Sequence, residues 1–202
     1  MADFLRENSL VALIGACEVG FWILLLAGLA ARYLLRRRRL STVLLLGVPV
    51  LDLVLVIASL LDVAQGGTPG TSHGLAGLYL GFTVAFGHRT IAWADAHFAH
   101  RFAGGPPPPK PPKHGRAAVV REWQDWGRLM LAWAIGIAVM AATTLVAGAD
   151  VPAVTEWSEH PMWHWALRIA PVALIWFVVG PLWTTLTGGE TEEWREVTNA
   201  TR

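Results

Sequence analysis

The sequence predicts an all-α polytopic membrane protein, a bundle of five transmembrane helices with one inner interfacial amphipathic helix. Three observations predict it. Of 202 residues, 54% are hydrophobic and 15% charged, against about 25% charged in a soluble domain. Mean hydropathy is +0.45. Five apolar stretches each approach the roughly 20 residues needed to cross about 30 Å of hydrocarbon. A net charge of +1 supplies no basic field for nucleic acid. The one cysteine, Cys17, has no partner for an internal disulfide and no CxxC spacing for a metal. Disorder, a disulfide scaffold and a soluble dinucleotide-binding enzyme are thereby excluded.

The first span covers about 9–35 and stops at Arg36, Arg37, Arg38 and Arg39. A cleaved signal peptide carries its charge before a shorter apolar core, so this segment reads as a retained helix. The second span, about 40–61, follows at once. The turn QGGTPGTS leads into the third, about 73–96. Consecutive prolines make 104–115 a non-helical, extended linker. Next, 116–128 sorts Val119, Val120, Trp123 and Gly127 from Arg116, Arg121, Glu122 and Asp125, as an amphipathic helix lying in the membrane interface does. The fourth and fifth spans cover about 129–147 and 162–186, and 188–202 forms a tail. Lysine and arginine in short loops set direction. They occur between spans one and two and between spans three and four, whereas 63–72 and 148–161 hold none. The N-terminus is expected outside and the C-terminus in the cytoplasm, across a bacterial plasma membrane.

Ionisable residues inside spans are functional candidates because lipid penalises them unless they are paired. At about 1.5 Å per residue, Glu18 and Asp52 both lie about 14 Å from the outer face. Arg168 lies about 9 Å deep, and His88 and Arg89 about 22–24 Å deep. With Asp95 at the inner boundary, these six suggest a buried polar column. It reads as internal ion pairs that fix helix register, as a proton or ion path, since paired carboxylates raise one pKa, or as a substrate pocket or partner-facing polar patch.

His73, His160 and His164 gather near the outer face, where facing histidines can ligate haem or a metal. The chain has no HExxH or CxxCH spacing, no P-loop and no GxSxG. Gly77 and Gly81 form GxxxG, and Ala134, Ala138 and Ala142 repeat every four residues, spacings that allow close helix packing. Most of the eleven tryptophans suit interfacial belts, Trp157, Trp163 and Trp165 at the outer face and Trp123, Trp126 and Trp183 near the inner one.

The stretch from Gly77 to Thr90, GLYLGFTVAFGHRT, joined to WADAHFAHRFAGGPPPP from Trp93 to Pro109, resembles small multi-spanning integral membrane proteins of high-GC bacteria with a proline-rich inner loop. The resemblance implies the membrane class and a bacterial source, with no activity and no site residues. Without a catalytic signature, the expected role is association: an accessory or assembly subunit partnered by lipid and by other membrane proteins or itself. A small proton- or ion-coupled transporter is the first alternative, and a haem- or metal-binding redox protein the second.

Overall fold

Four arginines in a row turn the chain between its first two helices. The computed structural model describes residues 9–109, 112 and 115–187, with the side chains of 9–14, 18, 38, 46, 49 and 52 left out. The helix α1 spans Ser9–Tyr33 and α2 spans Arg38–Ala64. Between them Arg36 takes a left-handed backbone (φ 55°), and the Arg37 N–H caps the Ala31 carbonyl at 2.8 Å. The helix α3 spans Thr71–Ala103, α4 Gly115–Val146 and α5 His164–Phe177. The axis of α5 continues through a π-helical turn, Val178–Leu182, into α6, Trp183–Thr187. A single 3-10 turn, Val154–Glu156, lies in the loop before α5. There is no strand among the described residues.

Three helical stretches are long and apolar enough to cross a membrane: Gly15–Tyr33, Gly115–Val146 and His164–Thr187. The expected second and third spans are helical too. Leu53–Ala64 of α2 counts as a shorter apolar helix, and α3 carries His73, His88, Arg89 and Asp95 along its length. The expected interfacial helix, 116–128, is no separate element. It forms the first part of α4, which runs unbroken for 32 residues. Nothing between Arg116 and Arg128 breaks a helix: Gly127 is tolerated, and the first proline after the linker is Pro152.

Packing follows the chain. The helices α1 and α2 form one antiparallel pair and α3 and α4 another, with α5 and the π turn laid on α4. Cys17, Leu55 and Ala76 join α1, α2 and α3 in one buried cluster. Leu78, Met140, Met162, Trp163 and Ala166 join α3, α4 and α5 in the other. The arrangement has two ends. The end of α1, the start of α2, the end of α3, the proline arm and the start of α4 meet at an arginine-rich end. The Asp62–His73 and Thr71–Pro161 contacts mark the opposite one.

Two prolines sit inside the last helical stretch, Pro171 in α5 and Pro181 in the π turn. Each removes a helix N–H and crowds the carbonyl four residues earlier, and widening to a π turn accommodates the second. Indoles of α4 bond onto this weakened helix: Trp126 Nε1 donates to the Ala173 carbonyl at 3.1 Å and Trp133 Nε1 to the Ala166 carbonyl at 2.9 Å. Trp163 is 1% exposed and donates to Thr144 Oγ1 at 3.2 Å. This residue, expected in an interfacial belt, is an interhelical tie.

Candidate functional site

The two longest helices carry the charged residues that matter. At 33 and 32 residues, α3 and α4 each extend about 50 Å, well beyond the roughly 30 Å of hydrocarbon. Their arginine-rich ends stand together, and there Asp125 is buried among three arginines. Arg89 of α3 bonds Asp125 Oδ1 through Nη1. Arg128 Nη1 reaches the same oxygen at 2.6 Å, and Arg121 Nε stands 3.7 Å from Oδ2. Among the described residues no other carboxylate pairs with these arginines, so one negative charge faces three positive ones.

A groove of ≈ 730 Å³ opens beside the cluster. Arg89 and Arg121 form its charged wall, Trp93 and His97 its aromatic wall, and Pro108, Pro109 and Pro112 complete its lining. The His97 ring lies 4.2 Å from that of Trp93, and its Nδ1 is 2.8 Å from the Trp93 carbonyl. Two residues after Trp93 on α3, Asp95 is held from α1 by the Tyr33 hydroxyl at 3.0 Å and by Arg32 at 3.4 Å.

The structure does not bring the expected column together from its described members. Arg89 turns to Asp125, and Asp95 turns to Arg32 and Tyr33. His88 is exposed on α3. Arg168 is exposed at the other end, its guanidinium 4.8 Å from the centre of the Trp165 ring. The side chains of Glu18 and Asp52 lie outside the described residues. Sequence periodicity gives depth but not rotation about the helix axis, and apolar helices lack the polar face that would fix it. Asp125 is the residue that sequence reasoning missed as a site. The signal was present: Arg121 and Arg128 lie four residues before it and three after it, the spacings at which helix side chains meet.

His73, His160 and His164 are each engaged by nearby backbone. His73 is 3% exposed. Its Nδ1 accepts the Gly70 N–H at 3.2 Å, which places the proton of the neutral ring on Nε2, 3.2 Å from Asp62 Oδ2. His160 Nδ1 accepts the N–H groups of Met162 and Trp163 at 3.2 and 3.4 Å, and so caps the start of α5. His164 Nδ1 lies 3.1 Å from the His160 carbonyl. Among the described residues no three His, Cys, Asp or Glu side chains converge as a metal site.

The small residues divide. Gly77 and Gly81 face α4, where a Cβ on Gly77 would stand 3.1 Å from the Gly136 carbonyl oxygen and one on Gly81 would overlap the Ala132 carbonyl. Ala134, Ala138 and Ala142 are exposed instead. The face that α4 turns inward carries Ala132, Gly136, Met140, Thr143 and Thr144. The alanine stripe therefore does not pack inside the bundle.

Over 135 residues the sequence is 33% identical to the uncharacterized membrane protein YmcC of Bacillus subtilis (strain 168), covering 66% of this chain and 72% of that protein. The chain belongs to this membrane-protein family. No family model and no solved structure matches it. The aligned length is too great to fit within any one helical pair, so the likeness reaches across the bundle.

Proposed function

We propose that the protein crosses a bacterial plasma membrane five times, N-terminus outside and C-terminus in the cytoplasm, and acts by association as an accessory or assembly subunit. The single observation behind this reading is the outward face of α4. Ala134, Ala138 and Ala142 are exposed there at four-residue intervals, with Leu131 and Leu145 flanking them at 50% and 66% exposure. Small residues at that spacing let a second helix backbone approach closely in lipid, where packing rather than the hydrophobic effect drives helix association. The five-crossing reading draws on the four helices of 25 to 33 residues, on the continuous His164–Thr187 stretch and on the arginines gathered at one end. The ion pairs of Arg89 and Asp95 support structural use of those charges over transport.

Cross-linking in native membranes tests the association. In a Cys17→Ser background, Ala138→Cys is expected to yield an adduct of defined mass, either twice this chain or this chain plus one partner. Gly127→Cys, on the same helix below the stripe, serves as the reference. Absence of an adduct at 134, 138 and 142 alike defeats the reading.

A further inference from the structure

We propose that the groove beside Asp125 is a binding site for the phosphate of an anionic phospholipid, held by Arg121 and Arg89 with the acyl chain along Trp93. The first ground is charge. Three guanidinium groups share one carboxylate, which leaves two positive charges for a ligand to neutralise. The second is donor availability. Arg89 and Arg128 both bond Asp125, but Arg121 at 3.7 Å stands beyond hydrogen-bond range. Its planar fork of N–H donors suits a phosphate's paired oxygens. The side chains of Arg121 and Arg89 are 35% and 42% exposed, and both line the groove.

The third ground is shape and position. The groove's other wall is apolar and aromatic, made by Ala92, Trp93 (61% exposed) and Ala96, and the prolines close one side. A site for a small free anion needs only the arginines. A charged end running into an apolar wall fits an amphiphile. With α3 and α4 each about 50 Å long, their arginine-rich ends, Arg89 and Arg121 included, are taken to stand at the level of lipid headgroups. The inference needs only that α3 and α4 stand in a bilayer. It does not depend on the association reading, since a monomer presents the same groove.

The test is native mass spectrometry of the full chain released from nanodiscs of equimolar phosphatidylglycerol and phosphatidylcholine. The wild type is expected to retain phosphatidylglycerol selectively. Arg121→Gln is expected to lower that retention about fivefold. Arg168→Gln, at the opposite end, leaves it unchanged. Equal retention of both lipids, or selectivity that survives Arg121→Gln, overturns the proposal. A calorimetric titration with inorganic phosphate in detergent separates the sources. Phosphate binding that requires Arg121, without lipid selectivity, makes the occupant a soluble anion and overturns the lipid assignment. Loss of the α4 cross-link with lipid selectivity intact leaves this proposal standing and removes only the association reading.

Discussion

The α1–α2 pair and the α3–α4 pair both use glycine to bring helices together, but different atoms fill the space. In the first pair leucines fill it. A Cβ on Gly20 would come within 2.9 Å of Leu51, one on Gly28 within 2.9 Å of Leu45, and one on Gly47 within 2.9 Å of Leu24. In the second pair backbone fills it at two glycines, with the Ala132 carbonyl over Gly81 and the Gly136 carbonyl over Gly77, while a Cβ on Gly136 itself would meet Leu78 at 2.8 Å. A leucine tip can rotate away at a cost of about 1 kcal/mol, whereas a helix backbone moves only by separating the helices. Polar ties follow the same division. The second half of the molecule holds the Asp125 cluster and the indole bonds to α5, while the atoms nearest a Cβ at Gly20, Gly28 or Gly47 of α1 and α2 belong to leucine side chains. Identical residues in nominally identical roles therefore differ in how far they tolerate change.

The largest expected effect comes from forcing the backbone contact apart. Gly81→Leu places a side chain where the Ala132 carbonyl lies and is expected to cost about 3 kcal/mol or more. Thermal unfolding in detergent should show it as a large fall in midpoint or loss of folded protein. A midpoint near that of the wild type would mean that α3 and α4 can slide, and the contrast between the pairs would collapse. Asp125→Ala comes next, because it strands three arginines at one site. Removing one partner of a buried pair costs about 3–5 kcal/mol. Partial exposure of these arginines reduces that to roughly 2 kcal/mol. Asp125→Ala with Arg89→Leu should be less destabilising than the sum of the two single changes, since the pair is removed together.

A smaller effect is expected at the buried indole. Trp163→Phe keeps most of the apolar volume but loses the bond to Thr144 Oγ1, worth about 1 kcal/mol. Thermal unfolding of Trp163→Phe, Thr144→Val and the double variant resolves the pairwise energy. Full additivity of the two changes would show that the indole bond contributes nothing, and that Trp163 holds α4 to α5 by packing alone.

Most of the helices were legible in the sequence because their signal is length and apolarity, which need no knowledge of neighbours. Their rotation was not legible. Depth along the axis put Arg89 in a buried polar column, yet its side chain turns to Asp125 on α4. Asp125 read as one more polar residue on an amphipathic surface, because its burial comes from α3, a helix distant in sequence. The alanine stripe and the GxxxG carry the same pattern of small residues, and only the three-dimensional arrangement separates the inward pair from the outward triplet. Trp163 read as a belt residue because position near an interface says nothing about a buried threonine on the next helix.

The smallest effect sharpens the comparison most, because it isolates the leucine contact. Gly28→Ala adds one methyl, 2.9 Å from Cγ and Cδ2 of Leu45 and 3.5 Å from the Ser41 carbonyl oxygen. The backbone contact is an ordinary van der Waals distance, so only Leu45 must give. Turning that side chain off its rotamer costs about 0.5–1.5 kcal/mol. Replacing a mid-helix glycine by alanine returns roughly 1 kcal/mol of helix propensity. The two nearly cancel, and the unfolding midpoint should stay within a degree or so of the wild type, since about 1 kcal/mol moves a chain of this size by only a few degrees. A fall as large as that of Gly81→Leu would show that Leu45 is as fixed as a backbone. The α1–α2 pair would then owe its tightness to the same rigidity as α3 and α4, and the distinction between a side-chain and a backbone filling would lose its consequence.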